Sequence, residues 1–151
     1  MTTRRIVYRM AAMAAFLCGV TTPLLATPLP RYGAFLYSSL CRERESGDAA
    51  GFRVKLVRSP KGDSLYLDWS EGGLYGPMLA TKLIIDPKTS KLSFTIPAHT
   101  PPSDISDSES YSGEISNEAI ILEDAGAVDG HRHVVPRVKE FGTEMVPCKE
   151  L

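Results

Sequence analysis

Residues 91–96 read KLSFTI, in which Leu92, Phe94 and Ile96 alternate with Lys91, Ser93 and Thr95. Successive side chains of an extended chain point to opposite faces, so this alternation predicts a strand with one face buried and the other in water. GFRVKLV at 51–57 repeats the pattern, with Phe52, Val54 and Leu56 expected inward and Arg53 and Lys55 outward; SLYLDW at 64–69 places Leu65, Leu67 and Trp69 on one face. Less regular runs extend the series: YGAFLYSSL at 32–40, MLATKLIID at 78–86, SYSGEIS at 110–116, EAIILED at 118–124 and HRHVVPRV at 131–138. The joints SGDAAG, SPKGDS, EGGLYG, DPKTSK, ISNE and AVDG carry turn residues. The chain therefore reads as all-β, an antiparallel up-and-down meander of about eight strands, without a helical stripe beyond residue 26.

Strands with one wet face must bury the other against themselves or a second sheet. Closing the meander into a barrel does this and removes the open edges. A closed or nearly closed barrel is the expectation, with a β-sandwich as the alternative. Pro136 lacks the N–H a ladder needs, so an edge or bulge, and imperfect closure, is expected at the last strand.

The first 26 residues are set aside from the fold. Arg4, Arg5 and Arg9 precede an apolar run from Met10 to Val20, and Ala26 follows Pro23. A charged start, an apolar core of about 11 residues and a small residue at the end form an export signal, whereas a membrane span needs about 20 apolar residues. Thr3–Arg9 partly resembles a twin-arginine signal, but Val7 and Tyr8 fit an ordinary secretory signal better. Cys18 follows Leu17, a poor context for lipid attachment, so no lipid anchor is expected. Residues 27–151 are expected to form a single β domain in the bacterial periplasm or outside the cell.

Loss of the signal removes three arginines and no acid, taking the formal charge from -1 to about -4. A mildly acidic domain lacks the basic surface that nucleic acid requires. The two cysteines that remain, Cys41 and Cys148, have no CxxC spacing and no adjacent histidine. In an oxidising compartment such a pair is expected to form a disulfide, which requires Cα atoms within about 7 Å and makes the first and last strands neighbours.

The succession YGAFLY, GFRVKL, DPKTSKLSF and YSGEIS, spread over most of the mature chain, resembles the small secreted calycin-like barrels, the group that holds lipocalins and avidins. The glycine-x-tryptophan signature of lipocalins is missing; Tyr32-Gly33 is its nearest counterpart. The resemblance implies a barrel and a ligand cavity without naming the ligand.

DWSEGG at 68–73 holds the only tryptophan between two carboxylates. On a strand Trp69 and Glu71 share a face and Asp68 lies on the other, so the two acids do not form a local acid/base pair. Trp69 is expected in the core near the rim, Glu71 at the barrel end, and Gly72-Gly73 where the chain leaves the sheet. Trp69, Glu71, Phe94 and Tyr111 are the candidates for lining a ligand pocket.

His131 and His133 would face one side of a strand, a spacing that suits one metal ion, with His99 or Glu140 as the third ligand needed. Without a third ligand no metal or other cofactor is expected. The longest loop, PAHTPPSDISDSES at 97–110, carries Asp104, Asp107 and Glu109, whose order does not match a calcium loop. Protruding from a rigid barrel, these acids are candidates for contact with a protein partner. Nucleophile motifs, the HExxH motif and phosphate-binding glycine loops are absent from the sequence, so no catalytic residue is assigned and no enzyme is expected. The expectation is an exported, disulfide-stapled binding protein, acting on a protein partner as an inhibitor or immunity-type factor, or alternatively a barrel that holds a small apolar ligand.

Overall fold

The structure is a computed structural model that describes residues 27–98, 107–124, 132–142 and 145–149. The expected export signal lies outside these residues. Every regular element described is a strand: β1 (Gly33–Ser38), β2 (Cys41–Arg42), β3 (Ala49–Arg58), β4 (Ser64–Leu79), β5 (Thr81–Ile85), β6 (Lys91–Ile96), β7 (Glu109–Ile115), β8 (Ala119–Asp124), β9 (Arg132–Val138) and β10 (Val146–Pro147). β1 and β5 to β9 fall within a residue of the runs read from the sequence; β3 starts two residues before its run, inside SGDAAG, and β4 continues through EGGLYG, expected as a turn where the chain leaves the sheet, into the first part of the run 78–86. β2 and β10 are two residues each, too short to show a period.

The strands form one sheet in the order β10-β2-β3-β1-β9-β8-β7-β6-β5, with β4 also paired to β3. From β5 to β9 each strand pairs antiparallel with its successor. β9 then meets β1 through Leu36↔Val138 and Tyr37↔Arg137, which joins the end of the meander to its beginning. The result is a nearly closed barrel with one unsealed seam.

That seam lies between β4 and β5. β5 pairs with β6, and β4 with β3, but no ladder joins β4 to β5. Expectation placed the imperfect closure at Pro136, yet β9 is laddered on both sides. Pro136 sits opposite Ala119, and the pairing to β1 begins one residue later, at Arg137, so the missing N–H falls before the second ladder starts. The edge of β5 is instead blunted by a register shift between Thr81 and Ile84, where Lys82 adopts φ 49°. A bulge and a charged side chain are devices that discourage pairing with another chain.

β4 is not one long rod. Sixteen extended residues would separate their ends by about 50 Å, yet the Ala80 N–H donates to the Leu65 carbonyl at 2.9 Å. The chain therefore doubles back on itself. Gly72 takes φ 80° in the turn, and Ser70 Oγ donates to the Gly73 carbonyl at 2.7 Å. On the return arm Gly76 (φ 131°) passes so close to the outgoing arm that a Cβ there would lie 2.8 Å from the Leu67 carbonyl oxygen and 2.5 Å from Asp68 Oδ1.

The inward faces follow the alternation in the sequence. Phe52, Val54 and Leu56 of β3, Leu65 and Leu67 of β4, and Leu92, Phe94 and Ile96 of β6 are all buried in one cluster with Phe35, Tyr37, Met78, Tyr111, Ile115, Ile120, Leu122 and Val135. Side chains thus fill the barrel interior. One end is covered by the segment before β1. There Leu29 packs on the core, Thr27 N–H donates to Glu118, and Arg58 donates to the Pro30 carbonyl at 3.1 Å. Beside it Tyr37, with no exposed surface, donates its hydroxyl to the Ser116 carbonyl at 2.8 Å. Burial pushes the Tyr37 phenol up to about 12.

Cys41 and Cys148 are joined by a disulfide, with Cα atoms 4.9 Å apart and a sequence separation of 107. The bond staples β10, which pairs in parallel with β2 through Val146↔Cys41 and Pro147↔Arg42, to the barrel wall. A disulfide of this kind is consistent with an extracytoplasmic protein. Among the described residues no helix is long and apolar enough to cross a membrane.

Candidate functional site at the open mouth

The other end of the barrel carries a solvent-connected cavity among the described residues. Pairing of Ile96 with Glu109 brings both ends of the connection 97–108 to this end. Ala49↔Gly72 and Ala50↔Glu71 place the β4 turn there, and Glu123↔Arg132 brings the ends of the connection 125–131 there. Within this rim lies a cavity of about 480 Å³ lined by Phe52, Trp69, Ser70, Glu109, Tyr111 and His133, with Ala50 and Gly51 completing its wall.

Each lining ring arrives through the two-residue period of its strand. Phe52 heads the inward row of β3, Trp69 ends that of β4 directly opposite it, Tyr111 belongs to the inward row of β7, and His133 lies two residues before buried Val135 on β9. The rings contact one another. Phe52 meets Tyr111 edge to face at 6.4 Å and the tilted His133 imidazole at 4.8 Å, and Trp69 lies 5.4 Å from Tyr75 of the returning arm. Tyr111 donates its hydroxyl to Glu109 Oε2 at 2.7 Å, which fixes the carboxylate at the cavity wall.

The structure regroups the candidates read from sequence. Trp69 and Tyr111, from the pocket set, line the mouth. Phe94, from the same set, lies one layer below, 2 % exposed and stacked under Tyr111, so it forms the floor and not the wall. The backbone of Glu71 is at the rim opposite Ala50, and its side chain lies outside the described atoms. Glu109, from the partner-loop set, lines the cavity, while Asp107 is exposed two residues before it and Asp104 lies outside the described residues. His133, from the metal set, serves as an aromatic wall, and its neighbour His131, like His99, lies outside the described residues. Among the described residues no three of His, Cys, Asp or Glu converge on a point that would hold a metal ion.

Sequence reasoning missed Phe52 and Ser70 as lining residues. The signal was present for Phe52, the first apolar ring of a strand that starts at the same level as the end of SLYLDW, but a strand end does not announce which other strands it will face. A second depression lies on the outer wall, about 350 Å³, lined by Lys55, Tyr66, Asp68, Pro77 and Phe141. Asp68 Oδ1 is buried there without a hydrogen-bond partner, and burial raises the carboxyl above its usual range, opposed by the charge of Arg53. Asp68 is thus on the outer wall and Trp69 at the mouth, as the alternation of side chains requires.

Comparison with known protein families, with curated proteins and with solved structures finds no match.

Proposed function

We propose that this is an exported, non-catalytic binding protein of the bacterial envelope that recognises a protein partner with the rim and mouth of its barrel, as an inhibitor or immunity-type factor would. The observation that carries this reading is the division of the barrel into a filled interior and an open, loop-bordered end. A carrier that encloses an apolar ligand needs an empty interior. Here Leu65, Leu67, Leu92, Phe94, Ile120 and Leu122 occupy the interior, and the open space lies above Tyr111.

Support also comes from the rigidity of the frame. A disulfide and a continuous run of ladders hold the loop ends at fixed positions, which lowers the ordering cost of binding through them. The calycin-like resemblance implies a barrel but names no partner. The cavity of about 480 Å³ favours one second reading, a small ligand held at the mouth alone, since it falls within the range of about 300–1,000 Å³ common for such sites.

The test is affinity capture from a periplasmic extract with the mature protein as bait, alongside a variant in which residues 101–106 are replaced by a short Gly-Ser link. A protein captured by the first and lost with the second, at unchanged melting temperature, supports the reading. Equal capture by both removes the loop from the interface.

A further inference from the structure

We infer that the mouth is a receptor for an organic cation, the guanidinium or ammonium head of a side chain projecting from the partner protein. This rests on the binding reading above and adds the chemistry of what is bound. Three aromatic rings, Phe52, Trp69 and Tyr111, and the His133 imidazole form the wall, and Glu109 supplies the only carboxylate among the described lining residues. No lysine or arginine is among them. Aromatic faces attract a cation through their negative quadrupole, and a carboxylate held at the same wall neutralises it.

The connections whose ends meet at this rim add a second, independent observation. Among the residues of these connections whose side chains are described, Ser70, Gly72, Gly73, Pro97, Ala98, Asp107 and Ser108, the one charge is that of Asp107. The neighbouring turn 43–48 has Glu43, Glu45 and Asp48 against Arg44 and the guanidinium of Arg42, which donates to the Gly47 carbonyl at 2.7 Å. Arg132, at the same end, is neutralised by Glu123 at 3.0 Å. Among the described residues the balance of charge at this end of the barrel is therefore negative, which raises the local concentration of cations and speeds their encounter. An apolar or anionic ligand would gain nothing from that field.

Trp69, the chain's only tryptophan, sits on the cavity wall, so its fluorescence reports occupancy directly. The mature protein is titrated with N-acetylarginine amide, with its uncharged isostere N-acetylcitrulline amide, and with tetramethylammonium. The expected result is a saturable change with the arginine compound that the citrulline compound does not produce, weakened about tenfold by Glu109→Gln and reduced by added salt. Tyr111→Phe, which keeps the ring and removes the hydroxyl that holds Glu109, is expected to weaken binding less, and circular dichroism checks that both variants fold. No response to the arginine compound, an equal response to citrulline, or indifference to Glu109→Gln overturns the inference. Tight binding of tetramethylammonium with none of the arginine compound overturns the side-chain source and assigns the mouth to a free ammonium compound. If the arginine compound fails while loop-dependent protein capture persists, only this inference falls. If it binds while no protein is captured, the partner reading falls and the cavity chemistry stands.

Discussion

The ring of Tyr111 lies stacked on that of Phe94, with centroids 5.1 Å apart and planes 20° apart. The two residues are also direct cross-strand partners of β6 and β7. Both rings belong to the buried cluster and only Tyr111 of the two also lines the mouth, so this pair is the boundary between core and site.

Phe94→Ala is expected to cost about 3–5 kcal/mol, because the removed ring leaves a cavity under Tyr111 that the laddered strands cannot collapse to fill. Urea unfolding followed by Trp69 fluorescence measures it. A loss below about 1 kcal/mol would mean that the floor of the mouth is not packed as described.

Reduction of Cys41–Cys148 is expected to lower stability by about 2–5 kcal/mol, since the bond links residues 107 apart in sequence and β10 has only two residue pairs to hold it otherwise. Unfolding with and without reductant gives the difference. A thiol assay on the oxidised, unfolded mature protein should find no reactive cysteine.

Tyr37→Phe leaves the Ser116 carbonyl without its donor and is expected to cost about 1–2 kcal/mol at neutral pH. The phenol also sets an alkaline limit. With a folded pKa raised to about 12 from the ordinary 10, its contribution is fully present below pH 10 and is lost as pH rises through about 12, because the unfolded chain releases the proton first. The fall in stability across that window should be shallower in the Phe variant.

Asp68→Asn is expected to raise the unfolding midpoint at pH 7. The raised carboxyl favours the folded state when protonated, and that contribution is lost as pH rises through its folded pKa. The advantage of the amide should therefore shrink as the solution is acidified, and a variant equally stabilised at both pH values would point to packing instead of charge.

Gly76→Ala tests the doubled-back course of β4. The backbone there has φ 131° and a methyl group would meet the backbone of Leu67 and Asp68. A loss of about 1–3 kcal/mol is expected in thermal or urea unfolding. An unchanged midpoint would place the return arm further from the outgoing one.

The strands and their inward faces were legible in the sequence because the period of two is a local property. KLSFTI declares Leu92, Phe94 and Ile96 buried whatever the strand pairs with, and the cysteine pair likewise declared that the two ends of the chain meet. The fold-back at Gly72 was only half visible. EGGLYG reads as a turn, but nothing local says that the chain returns along its own outgoing arm to leave the seam at β5.

What only the tertiary structure decided is which strand ends share a rim. Trp69, Glu109 and His133 belonged to three separate candidate sets, and each set was built from properties of its own stretch of sequence. Closure of the barrel brings β3, β4, β7 and β9 around one opening and joins these residues there, because a cross-strand neighbour is fixed by ladder register and strand tilt and not by spacing along the backbone.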